Sequence, residues 1–108
     1  MRVDQKRILI VEDDEGIARV LTDNLRIDGF DVRWAPTAHD ALVESQSFRP
    51  DLVLLDLMLP GLDGIDVCRQ IRTESGVPIV MLTAKSDTVD VVWVSTAPAM
   101  PAITAAMV

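Results

Sequence analysis

A chain of 108 residues, 49% of them hydrophobic, has room for one compact domain with a real core. Its ten Lys and Arg are scattered among seventeen Asp and Glu, a formal net charge of −7, which argues against a duplex-binding surface and favours a cation or a basic partner. The single Cys68 excludes an internal disulfide, and residues 1–7 run into only four apolar residues before three acids, neither a signal peptide nor a membrane span, so a cytoplasmic location without membrane association is expected.

The first element is an apolar run, Ile8-Leu9-Ile10-Val11, ended by Glu12-Asp13-Asp14. Such runs suit strands buried on both faces, as parallel strands are. A helix follows, with Ile17, Val20, Leu21 and Leu25 on one face, Glu15 in the first turn where the helix dipole favours an acid, and Gly29 where it should stop. Val32 and Trp34 then alternate as a short strand. Thr37 can cap a second helix carrying Ala38, Ala41 and Leu42, with Asp40 at the capping-box position. Leu52-Val53-Leu54-Leu55 is a second buried run, ended by Asp56. A third helix, with Ile65, Cys68 and Ile71 inward, ends near Gly76 before Pro78, and a third run, Ile79-Val80-Met81-Leu82, ends at Thr83. Beyond Val92 the character changes: residues 93–108 carry no charge, and Pro98 and Pro101 interrupt any helix beginning near Thr88. There is no internal repeat and no long linker. The alternation of strand and helix predicts an α/β fold, a doubly wound parallel sheet with helices on both faces. Ligands of such sheets sit beyond the carboxyl ends of the strands, where the acids lie.

Glu12, Asp13 and Asp56 would end neighbouring strands, so three carboxylates would share a small volume and repel unless a cation neutralises them or a pKa rises. Mg²⁺ suits such a place, being held by one or two carboxylates, waters and a phosphate. Asp56 could then attack phosphorus and form an aspartyl phosphate, with the Thr83 hydroxyl offered to the phosphoryl oxygens. Taken singly, each residue has a plainer reading. Asp56 also reads as a helix cap or solvated turn, Glu12-Asp13-Asp14 as first-turn acids, and Thr83 as a strand-end hydroxyl. His39 reads as a surface residue of the second helix, Cys68 as a small core residue, and Lys85, two residues after Thr83, as solvent-facing; none is offered as a site.

The segments ILIVEDDEGIARVL, DLVLLDLMLPGLDGIDVCRQIR and VPIVMLTAKS resemble the successive motifs of response-regulator receiver domains of bacterial two-component systems, over roughly residues 6–92. The resemblance implies a receiver (flavodoxin-like) fold and Mg²⁺ as cofactor. It implies Glu12 and Asp13 as the acidic pair, Asp13 being the direct metal ligand, Asp56 as phosphoacceptor, Met58 as a backbone-carbonyl ligand and Thr83 as the switch hydroxyl. Pro60-Gly61 with Gly64 would shape the loop after the acceptor, and Asp14 matches an acidic position outside the ligand set. The implied function is phosphorelay signalling, with a phosphoryl group received from a sensor histidine kinase by an acceptor that assists its own modification and is not a conventional enzyme. A receiver homodimer is a further partner. Relatives of the winged-helix class carry a DNA-binding domain after the receiver; no such domain is expected here, and no direct nucleic-acid binding by this chain.

The sequence departs from the family pattern near its end. Receivers continue to a fifth strand ending in a lysine before proline; no lysine follows Lys85, and Ala105 falls near that slot without a preceding aromatic residue. The missing ammonium would have paired with phosphoryl oxygen and acceptor carboxylate, so metal binding is expected to survive better than signalling. Residues 6–92 therefore read as a partial receiver and 93–108 as an atypical tail, the product of a frameshift shortly after Val92 or a misplaced gene end. An irregular fifth strand is expected at residues 103–108, with no regular fifth helix; without it the fourth strand would be an open edge prone to aggregation. Two other readings stay open: a signalling-defective fragment or interaction module that docks without switching, and a phosphohydrolase with an aspartate nucleophile. The latter wants a general acid two residues after Asp56, where Met58 stands.

Overall fold

A computed structural model describes residues 5–56, 64–85, 88–95 and 102–103; the side chains of residue 65 and of residues from 82 onward lie outside this description. The elements follow in the order β1 (Arg7–Val11), α1 (Glu15–Ile27), β2 (Asp31–Ala35), α2 (Ala38–Ser47), β3 (Leu52–Asp56), α3 (Gly64–Arg72), β4 (Ile79–Lys85), β5 (Thr88–Ser95) and β6 (Ala102–Ile103). They build one sheet in the strand order β2-β1-β3-β4-β5-β6. The first four strands are mutually parallel, as the alternating pattern predicts, and β5 and β6 join antiparallel.

Helices cover both faces of the parallel part. Leu21 and Leu25 of α1 pack with Phe30 on Ile8, Ile10 and Val32. On the other face Ala41 of α2 and Val67, Cys68 and Ile71 of α3 bury Leu9, Val11, Val53, Leu55, Ile79 and Met81. Ile8, Leu9, Ile10 and Val11 are all buried, as expected of a strand covered on both sides, whereas Leu52, Leu54 and Val80 are only half-buried. These three alternate with buried neighbours, and α1 packs over β1 and β2 rather than over β3 and β4. Among the described residues no helix is long and apolar enough to cross a membrane.

Helix ends follow local chemistry. The Asp14 carboxylate accepts the N–H of Ile17 at 2.9 Å to start α1, and the Thr37 hydroxyl accepts that of Asp40 at 3.0 Å to start α2. Gly29, at φ 99°, takes the left-handed turn that ends α1, a conformation with a steric cost for any side chain.

Four expectations need correction. Val20 is 59% exposed and is not on the packed face of α1, which consists of Ile17, Ala18, Leu21 and Leu25; a residue adjacent to Leu21 is rotated about 100° from it. The third helix stops at Arg72, short of Gly76, in a turn where the Ser75 N–H reaches the Ile71 carbonyl. The segment from Thr88 forms no helix. It is β5, with Thr88 opposite Lys85 and Ser95 opposite Ile79, in keeping with four valines whose branched side chains favour the extended chain. A register shift between Met81 and Leu82 accommodates a bulge. Finally, the edge of β4 is covered by β5, not by the end of the chain: Ala102 and Ile103 pair with Ser95 and Val94, one strand further out. Residues 104–108, including the Ala105 slot, lie outside the described residues.

Candidate functional site

Strands β1 and β3 run side by side in register, with Val11 opposite Leu55. One step further along each, Glu12 and Asp56 leave the same end of the sheet, and Asp13 follows in the loop into α1. One carboxylate oxygen from each of Glu12, Asp13 and Asp56 lies within 4.8 Å of the others. The convergence expected from the pattern of apolar runs is present. The three differ in setting: Glu12 is buried at 7% exposure, Asp56 half-buried and Asp13 exposed.

Glu12 is held at several points. Its N–H donates to the Ala35 carbonyl at 3.2 Å, its carbonyl accepts the indole N–H of Trp34 at 2.6 Å, and its carboxylate accepts the N–H of Asp14 at 3.1 Å. Burial pushes its carboxyl up to about 8, against the lowering effect of the Asp14 N–H and with the help of Asp56 and Asp13 beside it. Like charges at this spacing favour a proton or a cation between them. Asp14, by contrast, is engaged in capping α1.

Thr83 lies in β4 one residue beyond Leu82, which is opposite Asp56, so its backbone reaches the same end of the sheet; its side chain is outside the described residues, as is that of Lys85. Met58 and Pro60-Gly61 also lie outside them, while Gly64 begins α3. His39 is exposed in the first turn of α2, and Cys68 is buried at 3% exposure with its thiol pushed up by burial. Trp34 is the residue of this region to which the sequence reading gave no role. Its alternation with Val32 marks a strand, but nothing in a linear pattern shows that its indole reaches the Glu12 carbonyl on the next strand.

The arrangement can bind a hard cation through oxygen donors and can present the Asp56 carboxylate as a nucleophile beside it. Residues 8–104 match the response regulator receiver domain family. The chain is 60% identical over 88 residues to the DNA-binding response regulator MtrA of Mycolicibacterium smegmatis, covering 82% of this chain and 39% of that protein. It is 48% identical over 89 residues to the transcriptional regulatory protein CseB of Streptomyces coelicolor, covering 82% of this chain and 38% of that one. The chain thus spans well under half the length of these relatives. Among solved structures it resembles the BeF3-activated N-terminal receiver domain of Klebsiella pneumoniae RstA, with a TM-score of 0.70 and 38% identity over 76% of this chain and 70% of that one.

Proposed function

Because the chain belongs to the response regulator receiver domain family, whose members are signalling proteins, we propose that residues 6–92 accept a phosphoryl group on Asp56 from the phosphohistidine of a sensor histidine kinase. The observation that carries this reading is the meeting of Glu12, Asp13 and Asp56 within 4.8 Å at the carboxyl end of a parallel sheet.

The donor set fits Mg²⁺, which takes carboxylate, carbonyl and water oxygens, and the three carboxylates of Glu12, Asp13 and Asp56 within 4.8 Å of one another supply negative charge that a cation would relieve. Asp13 and Asp56 would hold the ion through carboxylates, with Glu12 beside them and Met58 contributing its backbone carbonyl. Bound there, it offsets the charge on the phosphoryl oxygens. An Asp56 carboxylate oxygen attacks phosphorus, the P–O bond forming as the P–N bond of the phosphohistidine breaks and its electron pair returns to the imidazole nitrogen. Thr83 donates its hydroxyl to a phosphoryl oxygen of the aspartyl phosphate so formed. The chain is an acceptor assisting its own modification, not a catalyst turning over a separate substrate.

The relatives' names support a role in transcription regulation for a longer regulator of this type, with DNA contact made outside these residues, in keeping with the net charge of −7. A second receiver is a further partner, and the setting is the cytoplasm. The test is phosphorylation by acetyl phosphate with and without Mg²⁺, read by intact mass beside Asp56→Asn. A Mg²⁺-dependent gain of one phosphoryl group, absent from the variant, is expected; no gain in folded, Mg²⁺-binding protein would overturn the acceptor role.

One observation favours a second reading, an interaction module that binds the ion but does not switch. Strand β5 returns antiparallel on β4 directly after Lys85, in place of a helical crossover. An unchanged solution scattering profile after full phosphorylation would select it.

A further inference from the structure

Trp34 holds the acidic site's main chain although it belongs to no candidate ligand set. Glu12 is the first residue past β1, and both of its backbone polar groups are taken by the end of β2: the N–H by the Ala35 carbonyl at 3.2 Å, and the C=O by the Trp34 indole at 2.6 Å. The second contact is short for an N–H···O bond, and the indole can only donate, so the carbonyl is the kind of partner it requires. That carbonyl and the N–H of Asp13 belong to one planar peptide unit, so holding it sets the direction in which Asp13 leaves the backbone. Strand β2 ends the sheet, and its own position is tied to α1 by Arg26, which donates to the Val32 carbonyl at 3.2 Å. Trp34 is 37% exposed and lines an open groove of about 500 Å³ between α1 and β2. Core burial is therefore not its main contribution.

We propose that Trp34 is a positioning residue of the acidic site, its indole N–H orienting the Glu12–Asp13 peptide so that the Asp13 carboxylate meets those of Glu12 and Asp56. The inference rests on the reading of this cluster as a Mg²⁺ site. Side chains behind metal ligands act in this way, fixing orientation without touching the ion.

The test uses the full chain and two changes that remove the donor: Trp34→Phe, which keeps an aromatic ring, and benzothienylalanine at position 34, which keeps the bicyclic shape and serves where Trp34→Phe loses the fold. Three quantities are measured: the Asp13 amide resonance without metal, the dissociation constant for MgCl₂ by calorimetry, and the melting temperature. Loss of the donor should move the Asp13 resonance and weaken Mg²⁺ binding about tenfold, with little change in melting temperature. A lower melting temperature with both the Asp13 resonance and the Mg²⁺ affinity unchanged would mean a structural role only and would overturn the inference. If the unsubstituted chain binds no Mg²⁺, the cation reading fails and this role of Trp34 fails with it. The metal-free Asp13 resonance then shows separately whether the indole still orients the peptide.

Discussion

Glu12 combines burial at 7% exposure with two carboxylates at its side, and its titration is the property most exposed to test. Its carboxyl ionises near 4.5 in an unfolded chain and at about 8 in the folded one, so the native state holds the proton more tightly between those values. The associated stability is present below pH 4.5 and lost as pH rises through 8. Urea unfolding in EDTA should therefore show stability falling across that window by a few kcal/mol, and Glu12→Gln should flatten the fall. A slope unchanged by that substitution would assign the effect to other groups. Gly29 offers an independent check on backbone conformation. Its φ of 99° has a steric cost for a β-carbon, so Gly29→Ala should lower stability by about 1 kcal/mol or more, measured by the same unfolding experiment.

At the scale of elements, Asp13 and Asp14 are neighbours with separable roles. Asp14 caps α1 through the Ile17 N–H, so Asp14→Ala should cost about 1 kcal/mol of stability while leaving Mg²⁺ affinity nearly unchanged. Asp13→Ala should do the reverse, with Mg²⁺ binding lost by calorimetry and stability in EDTA maintained. Three apolar runs, one cap residue and one turn glycine made β1, α1, α2, β3 and β4 legible in the sequence, because each is specified by residues within its own segment. The acidic cluster was legible from the expected sheet: acids at the carboxyl ends of neighbouring parallel strands share one edge of it. The β5 strand is not legible from the prolines at 98 and 101, which bear only on a helix from Thr88; its signal lies in Val89, Val91, Val92 and Val94, which favour extension. Trp34 was illegible because its bond spans two strands, and a linear pattern carries face but not reach.

The whole molecule couples its site to its stability through charge. Mg²⁺ held at the acidic cluster would stabilise the folded state by mass action and would compete with the proton on Glu12. The rise in melting temperature on adding saturating MgCl₂ should accordingly be larger at pH 8 than at pH 4.5, read by scanning calorimetry; an equal rise at both would detach the ion from the Glu12 cluster. The net charge of −7 adds to this, since a bound cation also reduces repulsion across the folded surface. The antiparallel return of β5 on β4 bears on how the fold is reached. Parallel pairs such as β1 with β3 bring together residues more than forty positions apart, whereas Lys85 and Thr88 meet across two residues. Contacts so local close in roughly microseconds, far ahead of the crossovers, so the fourth strand can gain a neighbour before the rest of the sheet assembles and spend less of the folding time open to other chains.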